Sequence, residues 1–492
     1  MSGLAGNVRL FGTAGIRGRY LRKVTPLLAY QVGLALAGYV GSGGSIVVAH
    51  DVRTTSPLLA SMAASGVMAG GVDAILVGQV PLPAASYSVV RSGSKSGIMV
   101  TASHNPPWDN GIKIVDSRGM ELTRSEEEEL ESIIEDGVEG FLADWNSVGI
   151  LRIEKEMLNY YMEDIVARTA VDGETSLSMA VDCANGAASG VTPIVLRSIG
   201  VRRVYTFNCH PDGYFPGRHP EPRPDVLEPF IKSSSILGVQ AFIAHDGDAD
   251  RTALGVPGYG FVKQDLVIAL LSWWKLRERK GSVVVSVDVG IEVEEVVEEL
   301  GGRIVRSRLG KIHEKLLQEA NAVLAAEPWK LIDPDWGLWV DGVYQAALLA
   351  HISLATGKTP RELLDMLPYY PSARVSYVLG GENERDRLYE DVVEKLSHSL
   401  TGNAVRILPI DGVRIDYEDR SWLLFRKSGT EPKLRVYAQA REKERLVELL
   451  SRIHSMVSGE ASRTGIKLVS KEEHVSLPPG GARGFRGRSA LL

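Results

Sequence analysis

The chain has 492 residues, of which 44% are hydrophobic and 24% charged, with a formal net charge of −6. This is the composition of a globular protein too long for a single core, so about three or four domains are expected. A modest negative charge gives no electrostatic reason to bind nucleic acid or an anionic membrane, so an anionic ligand has to be held by local cation clusters.

No stretch is apolar for long enough to span a bilayer. The first residues, Met1-Ser2-Gly3-Leu4, lack a charged-then-apolar leader layout. The two cysteines, Cys183 and Cys209, have no metal-ligand spacing and make no disulfide framework. They read as reduced thiols of a cytoplasmic protein.

Short β-branched runs alternate with helical patterns along four segments, which argues for α/β units. In the first, Phe11 to Gly18 is a glycine-rich turn carrying Arg17, without the dinucleotide fingerprint. Ser45 to Ala49, Ala74 to Val77 and Ile98 to Val100 read as buried strands. The last ends in Thr101-Ala102-Ser103-His104-Asn105-Pro106, followed by an ordered turn at Asn110-Gly111. Glu126 to Glu129 opens an exposed helix.

The second segment starts near Ile150, with strands at Ser178 to Asp182, Val204 to Phe207 and Gln240 to Ala244, and a helix starting in Gly190 to Leu196. Its last strand delivers Asp246-Gly247-Asp248-Ala249-Asp250-Arg251. The third, 256 to 368, has strands at Val283 to Val287 and Ala322 to Leu324. The fourth has strands at Val375 to Leu379, Gly412 to Asp416, Trp422 to Arg426 and Leu434 to Ala440, a strand-rich α+β pattern. From Leu477 the Pro/Gly/Arg-rich tail cannot build a core and is expected to be mobile.

In doubly wound sheets ligands bind beyond the carboxyl ends of strands, and Ser103 lies just past such an end. Serine needs a base or a metal to become a nucleophile; His104 is adjacent, and Lys113 follows in the same stretch. Asp246, Asp248 and Asp250 alternate, so a curled loop can bring all three onto one hard cation, and carboxylates this close repel unless one is bound. An EF-hand is ruled out by the missing glycine and closing glutamate. Magnesium suits a site of few carboxylates plus a phosphate oxygen. Arg426, with Ser428, Gly429 and Thr430, reads as a phosphate cradle of hydroxyls, backbone N–H groups and a forked guanidinium.

These motifs, in this order, resemble the α-D-phosphohexomutase family, from Gly12 to about Ala440. The resemblance implies phosphorylation of Ser103, magnesium on Ser103, Asp246, Asp248 and Asp250, and catalytic roles for His104, Lys113 and Arg251. It implies substrate binding by Arg17, Glu327, Arg426, Ser428, Gly429 and Thr430; Trp329 and Lys330, which replace small family residues, are read from their own chemistry as further substrate contacts, one stacking on the sugar ring and the other reaching its phosphate. It implies three similar α/β domains and a smaller C-terminal α+β domain around a central cleft. The expected boundaries are 1–148 for the phosphoserine domain, 149–255 for the metal-binding domain and 256–368 for sugar recognition. Residues 369–472 would form the phosphate-binding domain and 473–492 the tail.

One stretch departs from the family. Its sugar loop usually reads Gly-Glu-x-Ser-Gly, where this chain has Ala326-Glu327-Pro328-Trp329-Lys330. The expected activity is a magnesium-dependent mutase that interconverts hexose 6-phosphate and hexose 1-phosphate through phosphoserine and a hexose 1,6-bisphosphate. Glucose or mannose phosphate is favoured over glucosamine phosphate, because a lysine near C2 would repel an ammonium. Phosphoglucosamine mutase, a phosphatase using the same serine and metal, and a non-catalytic sugar-phosphate-binding protein are the alternatives. A hexose phosphate is the expected partner, with neither nucleic acid nor membrane, and the sequence sets no oligomeric state.

Overall fold

The apolar runs become strands because β-branched side chains at alternate positions pack on both faces of parallel sheets. A computed structural model describes residues 9–12, 15–173, 175–399, 404–429 and 431–477. By internal contacts the chain forms two units, Met1–Val262 with Trp329–Arg361, and Lys263–Pro328 with Glu362–Leu492.

The first unit holds two sheets. One contains β1 (Ile16–Arg19), β2 (Ser45–His50), β3 (Asp73–Gln79), β4 (Ser96–Val100), β5 (Asp109–Asp116) and β6 (Leu151–Ile153), in the order β1-β5-β4-β2-β3-β6. β2 runs parallel to β3 and β4, whereas β5 is antiparallel to both β4 and β1. Helices Pro26–Val40 and Ser56–Ala69 pack against each other so closely that a Cβ on Gly66 would meet Tyr30 O at 2.0 Å. The core between helices and sheet includes Val32, Leu36, Val48, Leu59, Ala63 and Ile98.

The other sheet contains β7 (Ser178–Asp182), β8 (Arg203–Phe207), β9 (Ala241–His245), β10 (Thr252–Val256) and β11 (Gly260–Phe261), in the order β11-β10-β9-β7-β8. β7 is parallel to β8 and β9, and β10 returns antiparallel to β9 with His245 opposite Thr252. The three aspartates therefore sit on the turn between two fully buried strands.

In the second unit β12 (Ser282–Ser286), β13 (Arg303–Ser307) and β14 (Ala322–Glu327) form a parallel sheet, with β12 central. β15 (Lys330–Ile332) falls within the residues of the first unit. The remaining strands are β16 (Ser372–Leu379), β17 (Ala404–Leu408), β18 (Val413–Tyr417), β19 (Trp422–Lys427), β20 (Lys433–Gln439) and β21 (Leu468–Ser476). They form an antiparallel sheet ordered β17-β18-β19-β20-β16-β21. Leu388, Val392, Leu449 and Ile453, from helices Glu382–Ser399 and Lys443–Thr464, join its core. The fold is thus α/β throughout, with an α+β C-terminal part.

Several expectations change. Asn110-Gly111 is no turn: both residues lie within β5, with Gly111 opposite Arg17, because the backbone pairs with strands on both sides. Arg17 likewise sits on β1 rather than on a glycine turn. The acidic run lies on helix Arg124–Asp136, but Glu127 is buried, pairing with Arg124 at 3.2 Å. The cysteines are not reduced thiols: Cys183 and Cys209 form a disulfide, with Cα atoms 4.8 Å apart. The reason is topological. β7 and β8 are parallel neighbours with Asp182 opposite Phe207, so the residues just past their ends meet. Of the tail expected from 473 onward, Glu473 to Ser476 instead lie in β21, paired with β16, and residues from 478 onward lie outside the described residues.

Candidate active site

β4 ends at Val100, and the chain then turns sharply. Ser103 adopts φ 50° while 1% exposed, a left-handed conformation that a non-glycine residue holds only when its surroundings enforce it. Arg53 supplies much of that enforcement. Its guanidinium donates to the carbonyls of Ser103 (2.9 Å), Asn105 (2.7 Å), Pro106 (2.6 Å) and Asp109 (3.0 Å). Its Nε bonds Asp51 at 3.1 Å. Asp51 also accepts from Thr101 Oγ1 at 2.8 Å, and Thr101 Oγ1 accepts the Ser103 N–H at 2.9 Å. One buried arginine thus ties down both arms of the loop.

The aspartate turn is packed against this loop. A Cβ on Gly247 would meet Ser103 O at 2.4 Å, so glycine is needed there for close approach. The left-handed residue of the turn is Ala249, at φ 60°. Behind it, Arg218 pairs with Asp182 at 3.0 Å and donates to His245 O at 2.7 Å. The Ala187 N–H bonds Gly247 O at 2.9 Å.

Around this junction the predicted residues of the first unit converge. Ser103 Oγ lies 2.7 Å from Asp246 Oδ2 and 3.3 Å from His104 Nδ1. Lys113 Nζ reaches Asp250 Oδ2 at 3.0 Å, Asp248 Oδ2 at 3.2 Å and Glu121 at 3.6 Å. Arg251 Nε stands 3.9 Å from both Asp246 and Asp250. Lys330 Nζ is 3.4 Å from Asp250 Oδ2. The arrangement places Lys330 at the aspartate turn.

A hard cation fits the carboxylates. One oxygen from each of Asp246, Asp248 and Asp250 lies within 4.8 Å of the others. Asp248 Oδ1 and Asp250 Oδ1 are buried without a hydrogen bond. A buried anionic oxygen left so is costly, and a cation relieves that cost for several at once. Burial, then the neighbouring Asp248 and Asp250, push the Asp246 carboxyl well above its usual range. Burial also pushes Asp250 up, but Lys113, Lys330 and Arg251 outweigh it and hold that carboxyl well down. Arg17 Nε is likewise buried without a hydrogen bond, a donor in place for an anion.

Two groups could move a proton. Burial lowers Lys113, but Asp248, Asp250 and Glu121 outweigh it and keep the ammonium charged well above the usual lysine range. Burial, then the positive field of Arg251 and Arg17, pushes His104 far below the usual histidine range, so its ring is neutral.

The second unit carries the cradle residues. Arg426, at the end of β19, pairs with Asp411 at 2.9 Å, and its Nε is buried without a hydrogen bond. Arg385 donates to Ser428 O at 3.0 Å and Glu431 O at 3.2 Å, holding the loop by its carbonyls as Arg53 does. The Ser428 N–H is not free, since it bonds Lys433 O at 2.9 Å in closing the β19–β20 turn. Gly429 is exposed, and Thr430 lies outside the described residues. Glu327 accepts the Gly310 N–H at 2.6 Å. Trp329, in the first unit, packs against the cluster around Phe242 and Ala244, with Arg251 6.0 Å from its ring.

Sequence reasoning missed Asp51, Arg53, Arg218, Arg385 and Asp411. The only available signal was Asp51-Val52-Arg53 directly after the carboxyl end of a buried strand.

Four consecutive segments match the domains of one family, phosphoglucomutase/phosphomannomutase. Alpha/beta/alpha domain I matches residues 8–140, domain II 159–258, domain III 263–370 and the C-terminal domain 382–455. The chain belongs to this family. Its members include phosphomutases, which transfer a phosphoryl group within one molecule, and this chain is such an intramolecular phosphotransferase.

A phosphopentomutase of Thermococcus kodakarensis is 39% identical over 92% of this chain and 98% of its own length. A "Probable phosphoglucosamine mutase" of Methanopyrus kandleri is 38% identical over 90% of this chain and 96% of its own. Among solved structures, a phosphoglucomutase/phosphomannomutase family protein of Burkholderia thailandensis superposes with a TM-score of 0.82 at 25% identity. That match covers 94% of this chain and 99% of the other.

Proposed function

We propose that this phosphomutase moves a phosphoryl group between C1 and the terminal hydroxyl of an aldose, through phosphorylated Ser103 and a bisphosphorylated sugar such as hexose 1,6-bisphosphate. The observation that carries the reading is the contact of Ser103 Oγ with Asp246 Oδ2, inside a carboxylate cluster with two buried oxygens lacking hydrogen bonds. Magnesium held by Asp246, Asp248, Asp250 and phosphorylated Ser103 would neutralise charge on the transferring group. Lys113 and Arg251 add fixed positive charge beside it. His104, 3.3 Å from Ser103 Oγ, and Lys113, at Asp248 and Asp250, are the two groups placed to handle the proton of the attacking sugar hydroxyl. In the second unit Arg426, with Ser428 and Gly429, holds the phosphate that is not reacting, and Glu327 accepts from sugar hydroxyls.

The sugar is decided less by charge than the sequence implies. Lys330 stands at Asp250, which weakens the argument that a lysine near C2 repels glucosamine. Glucose, mannose and glucosamine phosphates therefore all stand as hexose substrates. The phosphopentomutase relative, at 39% identity, favours a pentose phosphate as a second reading. No helix among the described residues is long and apolar enough to cross a membrane. A cytoplasmic place is proposed on the metabolic role of the relatives, and disulfides do occur in intracellular proteins of hyperthermophiles.

The test is a mutase assay on glucose, mannose, glucosamine and ribose phosphates, with mass spectrometry of the resting enzyme. Phosphate on Ser103, and loss of transfer in folded Ser103→Ala, are expected. Full activity in that variant would remove the proposal.

A further inference from the structure

The proposed sugar loop delivers a lysine to the metal turn. Trp329 turns the chain at φ 70°, and its carbonyl accepts the Thr252 N–H at 2.8 Å, so the loop is tied to the strand that leaves the aspartates. The two residues after Lys330, Leu331 and Ile332, are fully buried, which fixes its backbone. Its side chain is 13% exposed, and its Nζ shares Asp250 Oδ2 with Lys113. The other oxygen of Asp250 is the one left without a hydrogen bond. Asp250 is divided: Oδ2 faces two ammonium groups, and Oδ1 lies 3.9 Å from Arg251 Nε.

Among the described residues, the cations within 4 Å of the three aspartates are Lys113, Arg251 and Lys330. Three carboxylates thus face three fixed cations. With glycine in place of Lys330, as in the usual family loop, the same set would carry one net negative charge.

We propose that Lys330 is a positioning residue of the metal centre, orienting Asp250 and lowering the charge of the cluster, and not a sugar contact. The inference rests on the metal-centred reading above. A fixed cation near the cluster opposes a second cation, so Lys330 weakens divalent-metal binding while keeping the turn formed when no metal is bound.

The experiment is Mn2+ titration of the full-length dephosphorylated enzyme, followed by electron paramagnetic resonance, for wild type, Lys330→Met, Lys330→Gly and Lys330→Arg. Lys330→Met and Lys330→Gly should bind Mn2+ roughly tenfold more tightly than wild type. Lys330→Arg should stay near wild type. The melting temperature of metal-free Lys330→Met should fall, and added Mn2+ should close the gap. A lysine with only a packing role would give weaker Mn2+ binding on removal, and unchanged or weaker binding in both variants overturns the proposal. If wild type binds Mn2+ and the variants do not differ from it, the inference falls alone. If wild type binds no Mn2+, the metal-centred reading falls with it.

Discussion

Ser103 Oγ donates to Asp246 Oδ2 at 2.7 Å across 143 residues of sequence, so a hydroxyl of one sheet is aimed by a carboxylate of the next. Both lie at strand ends, Ser103 after β4 and Asp246 after β9, where open sheets present ligands. Two sheets of one unit must therefore meet correctly before the hydroxyl is placed.

Replacing Asp248 by asparagine keeps the shape but removes a charge beside Lys113, on the residue that carries one of the two orphaned oxygens. Divalent-metal affinity should fall by roughly tenfold or more, and a chelator should stop wild-type turnover until magnesium is returned. Calorimetric metal titration of the variant checks this, and wild-type affinity would contradict it.

Arg426→Lys should raise KM more than it lowers kcat. Charge survives, but the fork that can grip two phosphate oxygens is lost, at a cost of about 1–3 kcal/mol in substrate binding. Steady-state kinetics on the preferred sugar phosphate separates the two constants.

Removing Arg53 strips donors from four carbonyls and leaves Asp51 buried without its ion pair. Arg53→Met should lose about 3–5 kcal/mol of stability, the scale for breaking a buried pair. Denaturant unfolding measures that loss. Peptide mapping should show less phosphate on Ser103 in whatever fraction stays folded.

Reducing Cys183–Cys209, or replacing both by serine, should destabilise the second sheet. The bridge spans 26 residues, for which loop-closure entropy gives about 3.5 kcal/mol. Thermal melts with and without reductant should differ in wild type and coincide in the double serine variant.

Asp416 gives the second unit an acid-sensitive element. Burial pushes its carboxyl up, but Arg414 outweighs burial, with Arg306 and Arg406 adding to it, and holds it below the usual range. Its contribution is therefore fully present above the unfolded value of about 3.9 and disappears as pH falls through the lower folded value. Asp416→Asn should be less stable than wild type at neutral pH, and the two curves should converge in acid. A constant gap down to the lowest pH would show that Asp416 stabilises by packing alone.

The strands that deliver Ser103 and the aspartates were legible because buried parallel strands leave dense apolar runs with polar punctuation. β5 was not, since Asn110-Gly111 has turn chemistry and only pairing with strands on both sides overrides it. The disulfide was hidden because adjacency of β7 and β8 is a tertiary fact. Arg53 and Arg385 grip carbonyls, which every residue has, so no side-chain pattern announces their partners. The direction of Lys330 depends on the left-handed turn at Trp329, a residue with no intrinsic preference for it.

Arg53 holds the Ser103 loop from the protein interior by four of its carbonyls. The residues after Glu327 are not insulated in the same way, because Lys330 reaches Asp250 and a change there is felt at the carboxylates. The two loops thus differ in kind: one is held by the protein's own carbonyl-gripping arginine, and the other lends its charge to a neighbouring turn.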